Sequence, residues 1–377
     1  MAWKIPLFKI FSDASDITAV SKVIESGMNW ATGENVVLFE RELARYVKTR
    51  YAVTFSSGTA ALHALLIALK IGKGDEVIVP SFTFISTANA VLFVGAKPVF
   101  AEIEGASYGL DPKDVEKKIT KKTKAIVPVH FGGGPCQVEE LRQVAKKHKL
   151  LLLEDAAESL GATFQKKKVG TFGKAGMVSF CAPKVISTGE GGAIVTNSKD
   201  VYESLKLLRS HGRADSKDYF STAEYLDYVQ LGYNFRLSAI LSALGRSQLK
   251  KIEKLIAHRR KNAVYLSKKL KKVSGITLPA SLKGARHIYQ MYTIQVEGGK
   301  KKRDALQEHL NSKGIMAKVY FPPAHLSAFY RTLGYKKGSL PQTEKIAEKV
   351  LTLPMYPELS KKNMDYMAKE VNTFFHE

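Results

Sequence analysis

Segment 151–192 contains a carboxylic acid, Asp155, and an amine, Lys184, that could act together in one site. Asp155 ends the apolar run LLLED, and Lys184 lies between the short apolar stretches MVSF and GGAIVT. A lysine can hold an aldehyde as a Schiff base, and a carboxylate can keep a pyridine nitrogen protonated so that the ring accepts electrons. The pair therefore predicts a site for pyridoxal phosphate (PLP), with Lys184 at the carbonyl carbon and Asp155 at the ring nitrogen on the opposite side.

Each of these two residues also has a simpler interpretation when it is taken alone. A carboxylate at a strand end often caps a helix or forms an ion pair in a loop, and Lys184 is one of 58 basic residues. The flanking strands favour the cofactor site, because a lysine between buried segments is costly unless it is paired, neutral or covalently occupied.

The length and composition predict a globular protein of two domains. The 377 residues are about right for two domains, and the order of the predicted elements favours a large α/β domain over residues 1–250 and a small α+β domain over residues 251–377. No window is apolar enough for a membrane span, and the N-terminus lacks the features of a signal peptide. Two cysteines cannot form a disulfide framework, so we expect a cytoplasmic protein.

The net charge of +23 raises the question of nucleic-acid binding. The lysines occur in scattered short runs that neither interleave with aromatic residues nor belong to a nucleic-acid-binding motif. We therefore predict no nucleic-acid partner. A generally positive field would still attract small anionic substrates.

Strands that alternate with helices predict a parallel sheet with helices on both faces. In such sheets functional residues belong at the carboxyl ends of the strands, and Ser57, Phe84, His130 and Asp155 each follow a predicted strand. The predicted strands of this part are 51–55, 75–80, 98–102, 125–129 and 150–153. The last third predicts a long helix to about residue 272, strands at 291–296 and 316–321, and a closing helix from residue 361.

The sequence SSGTAALHALL is a loop of serine, glycine and threonine that feeds an apolar helix. Backbone N–H groups and hydroxyl groups at such a helix start favour an anion, here a phosphate. The alternative is a simple helix cap by Ser57 or Thr59. From the residues alone both interpretations stand.

Six motifs together resemble the DegT/DnrJ/EryC1/StrS sugar aminotransferases, which are PLP enzymes of fold type I acting on nucleotide-linked keto-sugars. They are SSGTAALHALL, GDEVIVPSFTF-x-STANA, EDAAESLG, SF-x-x-x-K-x-x-x-TGEGG, LGYNFRLSAI and LTLPMYPEL. By this resemblance Lys184 matches the Schiff-base lysine and Asp155 matches the partner of the pyridine nitrogen. The positions that match phosphate ligands are Ser57, Gly58, Thr59 and Ser179.

Three further positions carry roles that the resemblance implies. Phe84 matches the aromatic residue that stacks on the cofactor ring, and Glu158 matches the position beside the ring hydroxyl and the substrate sugar. Asn234, in GYNFR, matches an asparagine that reaches the phosphate from a neighbouring subunit. The family thus implies a homodimer with shared active sites, and no metal is expected. Without the resemblance, Asn234 would more simply cap the helix that follows it.

The resemblance implies amino transfer, with glutamate as the usual donor, to a 4-keto-6-deoxy sugar nucleotide. The form EDAAESLG most resembles C4-aminotransferases of the perosamine-synthase type. Tyr320, in VYFPPAHL, replaces a histidine common in the family, which leaves the sugar-side contacts open. Lys184 argues against relatives that carry histidine there and act as dehydratases. The rival interpretations are a C3-aminotransferase of the same family and a non-catalytic regulator with the PLP-enzyme fold.

Overall fold

The computed structural model describes residues 3–214 and 222–376. The helices are α1 (Ala14–Glu25), α2 (Glu34–Val47), α3 (Gly58–Ala68), α4 (Ser86–Phe93), α5 (Pro112–Lys118), α6 (Val138–Lys147), α7 (Lys199–Arg209), α8 (Ala239–Leu270), α9 (Gly299–Ser312), α10 (Ala328–Thr332), α11 (Pro341–Ala347) and α12 (Lys361–His376). The strands are β1 (Tyr51–Phe55), β2 (Glu76–Pro80), β3 (Lys97–Ala101), β4 (Thr123–Ile126), β5 (Leu151–Asp155), β6 (Thr163–Phe164), β7 (Lys167–Lys168), β8 (Ala175–Ser179), β9 (Gly192–Thr196), β10 (Ile276–Thr277), β11 (Ala285–Arg286), β12 (Tyr292–Val296) and β13 (Val350–Leu353).

The central sheet has seven strands in the order β1-β9-β8-β5-β4-β2-β3. Strands β8, β5, β4, β2 and β3 pair in parallel, and β9 runs antiparallel to both of its neighbours. This confirms the predicted α/β architecture with a mostly parallel central sheet. Because the parallel strands end at one edge, loops far apart in the sequence meet there.

Both faces of this sheet are buried against helices. Successive side chains of a strand point to opposite faces, so each strand contributes to two cores. On β5, Leu153 packs in a core with α3, whereas Leu152 packs in a core with α6. The fully apolar strands of the sequence follow from this double burial. Each such leucine contributes roughly 1.5–3 kcal/mol to the stability of the sheet.

The two apolar stretches around Lys184 form β8 and β9, as predicted. They pair in antiparallel register, with Ser179 opposite Gly192, and every residue of both strands is buried. The connection between them, residues 180–191, carries Lys184 at the edge where β5 also ends. The strand pair thereby fixes the base of the lysine-bearing loop.

Helix α8 is the longest element of the described residues, with 32 residues. The predicted domain boundary at residue 250 falls inside this continuous helix, and the division into 1–250 and 251–377 stays a prediction. Beyond it, β10, β12 and β13 form a small sheet, which shares a core with α9 and α12. Within residues 3–214 and 222–376, no helix is both long and apolar enough to cross a membrane.

The strand predicted at residues 316–321 is wrong. Lys318 pairs with Thr352 of β13 in a single antiparallel bridge, and Ile315 forms one bridge with Ile5. No further bridge to any described residue forms over residues 319–321, and the chain cannot pair beyond them because Pro322 and Pro323 have no N–H groups to donate to a ladder. The segment instead turns into the cavity described next, where Tyr320 and Phe321 contribute to the wall.

Candidate active site

A cavity of about 380 Å³ opens at the edge where the carboxyl ends of the parallel strands meet. Eight of the nine residues predicted to bind the cofactor line it, although they come from four separate segments of the chain, 57–59, 84, 155–158 and 179–184. These eight are Ser57, Gly58, Thr59, Phe84, Asp155, Glu158, Ser179 and Lys184. The structure therefore brings together the acid, the lysine and the anion-binding loop in one cavity.

Asp155 is the last residue of β5 and is only 3% exposed. The hydroxyl of Thr87 donates to its Oδ2 at 2.8 Å, and the N–H of Ala157 donates to its Oδ1 at 3.1 Å. Burial raises the pKa of this carboxyl, and the two hydrogen bonds lower it only in part. Asp155 neither caps a helix nor forms an ion pair with any described residue, so both simpler interpretations fail.

Lys184 is held by a second buried carboxylate. Its Nζ lies 3.5 Å from Oε1 of Glu158, and Oε2 of Glu158 accepts from the N–H of Gly132 at 2.8 Å. Because both oxygens of Glu158 are engaged, the carboxylate has a fixed orientation and holds the lysine head in the cavity. The lysine side chain is 17% exposed, so it is not a solvated surface residue.

The other end of the cavity is the start of α3. Ser57 caps the helix, since its Oγ accepts from the N–H of Ala60 at 3.0 Å, and it lines the cavity as well. A Cβ on Gly58 would lie 3.1 Å from Sδ of Met177, and a Cβ on Gly192 would lie 2.5 Å from the nitrogen of Gly58. The approach of the backbone of Gly58 requires glycine at position 192, whereas a Cβ at Gly58 would be a tight contact with a flexible side chain. The N-terminal N–H groups of α3 face an open recess.

Phe84 and Asn234 occupy different surroundings. Phe84 lines the cavity with a ring that is 60% exposed, which leaves its face available for stacking on a planar ligand.

Asn234 is exposed, pairs through its backbone with Ser210, and does not line the cavity of its own chain. The helix that follows is capped by Ser238, so the alternative in which Asn234 is the cap is wrong.

Some residues of the site escaped the sequence analysis, and one that follows a predicted strand lies elsewhere. Thr87, which bonds to Asp155, lies within the motif that contains Phe84, but nothing in the sequence gave it a role. Gln290, which lines the cavity, carried no signal because it reaches the site from a distant part of the chain. His130 is fully buried and does not line the cavity; its Nε2 lies 3.0 Å from Oε2 of Glu154. A strand-end position thus predicts proximity to the site but not the direction of a side chain.

The donor set fits pyridoxal phosphate. A protonated ring nitrogen would give the buried Asp155 carboxylate the positive hydrogen-bond partner that no described residue provides. The start of α3, with Ser179 beside it, offers N–H and hydroxyl donors for a phosphate. Lys184 would bind the aldehyde, and Phe84 would stack on the face of the ring. The residues present therefore match a cofactor with a phosphate, an aldehyde and a basic ring nitrogen.

Comparison with known proteins gives a consistent result over nearly the whole chain. GDP-perosamine synthase of Escherichia coli O157:H7 is 33% identical over 371 residues, 98% of each chain. A pleiotropic regulatory protein of Geobacillus stearothermophilus is 35% identical over 364 residues, covering 96% of this chain and 94% of that protein. The structure of Helicobacter pylori PseC, an aminotransferase of pseudoaminic acid biosynthesis, matches with a TM-score of 0.93, at 33% identity and 99% coverage of both chains.

The family model that describes the DegT/DnrJ/EryC1/StrS aminotransferases matches residues 11–372. The family and its structural relatives indicate dependence on pyridoxal phosphate, in agreement with the donor set of the cavity. On the match, the fold and the relatives together, this chain belongs to the DegT/DnrJ/EryC1/StrS aminotransferase family.

Proposed function

We propose that this protein is a PLP-dependent aminotransferase that transfers an amino group from glutamate to a nucleotide-linked 4-keto-6-deoxy sugar. The product would be a 4-amino-4,6-dideoxy sugar nucleotide for surface polysaccharide or glycan biosynthesis. The observation that carries the proposal is the single cavity in which Asp155, Lys184 and the start of α3 meet. The relative named GDP-perosamine synthase supports the sugar nucleotide as the substrate class.

When bound, pyridoxal phosphate supplies an aldehyde that reacts with amino groups and a pyridinium ring that accepts electrons. Asp155 would hold the ring nitrogen in its protonated form, because its buried carboxylate is stabilised by a positive donor. Lys184 Nζ would take up and return a proton inside the cavity. Glu158 keeps that amino group in position through the contact at 3.5 Å.

The C3-aminotransferase of the same family remains the nearer rival, since nothing in the cavity walls distinguishes the two ring positions of a sugar. The regulator rival is supported by the relative named as a pleiotropic regulatory protein. Against it stand Lys184 and Asp155, which a protein without catalysis has no need to keep buried in one cavity. An assay with several keto-sugars separates these possibilities.

The first test is turnover by the protein loaded with PLP. We expect a visible absorbance band that glutamate bleaches, and amination of at least one member of a panel of nucleotide keto-sugars, identified by mass and NMR. Lys184→Ala and Lys184→Arg should both abolish turnover, because alanine has no amino group and arginine does not release its proton. Exposed Lys174→Ala serves as the matched control and should retain wild-type activity. Substantial activity in either Lys184 variant would contradict the assignment.

The two adjacent buried carboxylates of β5 should respond to neutralisation with opposite signs. Asp155→Asn removes a carboxylate that burial disfavours, so the protein without cofactor should melt roughly 2–5 °C higher near neutral pH. This gain should shrink as the pH falls through the raised pKa, since the wild-type carboxyl then becomes neutral. Glu154→Gln should melt lower, because glutamine has one acceptor oxygen where the carboxylate has two, so at least one of the three bound backbone N–H groups loses its acceptor.

The same Asp155→Asn variant should lose most of the rise in melting temperature that PLP gives the wild type, because a ligand stabilises only in proportion to its binding. Turnover should fall on the order of a hundredfold or more. Differential scanning fluorimetry with and without PLP measures the melting shifts. An Asn variant that keeps the full stabilisation by PLP would show that Asp155 does not hold the ring nitrogen.

We further propose that the protein is a homodimer in which Asn234 reaches the cofactor phosphate of the partner subunit. Asn234 lies on a surface that also exposes large apolar side chains, including Leu231, which is 83% exposed, and Tyr228, which is 51% exposed. Apolar surface of this kind is typical of a subunit interface. A cofactor that contacts both subunits would stabilise the dimer by mass action.

Subunit exchange tests this shared site. Lys184→Ala and Asn234→Asp, each impaired alone, should regain partial activity when mixed, since one site of the mixed dimer then has both wild-type residues. The control pair is Lys184→Ala with Asp155→Asn, which would lie on the same side of the site and should show no recovery. Exchange is followed by native mass spectrometry. Demonstrated exchange without recovery in the first pair, or an active monomer, would exclude the shared site.

A further inference from the structure

Gln290 combines an engaged amide nitrogen with an unpartnered amide oxygen in the cavity wall. The residue precedes β12, is 7% exposed and lines the cavity. Its Nε2 donates to the carbonyl of Pro183, the residue before Lys184. Because a carbonyl can only accept, this bond identifies which amide atom is the nitrogen. The remaining atom, Oε1, is buried and has no hydrogen-bond partner in the described part of the chain.

The backbone around Gln290 is fixed by hydrogen bonds, so it cannot easily rotate Oε1 out of the cavity. Arg259, which is 1% exposed, donates from Nη1 to the carbonyls of Tyr289 and Gln290 at 3.2 Å each and to that of Met355 at 2.9 Å. The N–H of Met291 donates to the carbonyl of Gly132 at 2.9 Å. Together with the bond to Pro183, these backbone contacts fix the orientation of the side-chain amide before any ligand binds.

An acceptor in this position has few candidates for a partner within the protein. Met291, the next residue, and Met355, whose carbonyl binds the same Arg259, line the cavity with apolar side chains. The hydroxyl of Thr352, which also lines it, is already bonded to that of Thr293. Buried polar groups nearly always have a hydrogen-bond partner, so the donor to Oε1 comes from the cavity itself, as a water or as a ligand group that displaces it. Glutamine oxygen is neutral, so it suits an O–H or N–H group without selecting for charge.

We infer that Gln290 is a specificity-determining residue, whose Oε1 accepts a hydrogen bond from a hydroxyl group on the ring of the sugar substrate. The inference rests on the proposed function. A buried acceptor discriminates strongly, because an analogue that lacks the hydroxyl leaves the oxygen unpaired. The wild type should therefore prefer the hydroxylated sugar by about 10- to 100-fold in kcat/KM.

The experiment compares wild type with Gln290→Met, which preserves length and removes the acceptor. The probes are the nucleotide-linked 4-keto-6-deoxyhexose that the wild type aminates and its 2-deoxy and 3-deoxy analogues. We expect the variant to lose about 10- to 100-fold in kcat/KM for the hydroxylated sugar and less than threefold for one analogue. Gln295→Met is the control, since the amide of Gln295 bonds to Tyr108 and does not line the cavity; it should leave all three rates unchanged.

The glutamate half-reaction separates the role of Oε1 from that of the bond to Pro183. Bleaching of the cofactor band by glutamate should proceed in Gln290→Met within about threefold of the wild-type rate, since the donor carries no sugar hydroxyl. An equal loss with all three sugars, or a loss confined to the glutamate half-reaction, would overturn the inference while leaving the proposed function intact. A wild type that bleaches with glutamate but aminates no sugar would overturn both.

Discussion

The constraint on which the rest of the site depends is the burial of a carboxylate at the end of β5. Asp155 lies at the end of an inner strand of the sheet, with a hydroxyl and one N–H as its hydrogen-bond partners, and burial raises its pKa. Such a group is unfavourable unless a positive donor meets it. Asp155 has no positive hydrogen-bond partner among the described residues. The cavity beside it is formed by the loop that carries Lys184, between β8 and β9, and by the start of α3.

The neighbouring residue shows what a satisfied carboxylate looks like in the same strand. Glu154 points to the opposite face, as the two-residue period of a strand requires, and accepts from three backbone N–H groups of residues 170–173 and from His130. Both oxygens of the Glu154 carboxylate therefore accept hydrogen bonds, and these bonds hold the loop of residues 170–173 to the sheet. Of two buried acids one position apart, the one that lacks such partners faces the cavity, and this contrast separates structural from functional burial.

The sequence was sufficient for the elements whose signals are local. Apolar strands alternating with helices predicted the sheet, and the motifs predicted eight residues that line one cavity. Contacts between distant segments could not be predicted: Thr87 reaches Asp155 from α4, and the amide oxygen of Gln290 has significance only beside the cavity. Segment 316–321 was predicted as a strand, but only Lys318 pairs with β13, in a single bridge.

The most direct measurement of the central claim is the position of the covalent bond between cofactor and protein. Protein loaded with PLP is reduced with borohydride, digested and mapped by mass spectrometry. The account predicts one pyridoxyl group per chain, on the peptide that contains Lys184, and none on it in Lys184→Ala. A pyridoxyl group on another lysine at equal yield, or no label despite bound cofactor, would contradict the account.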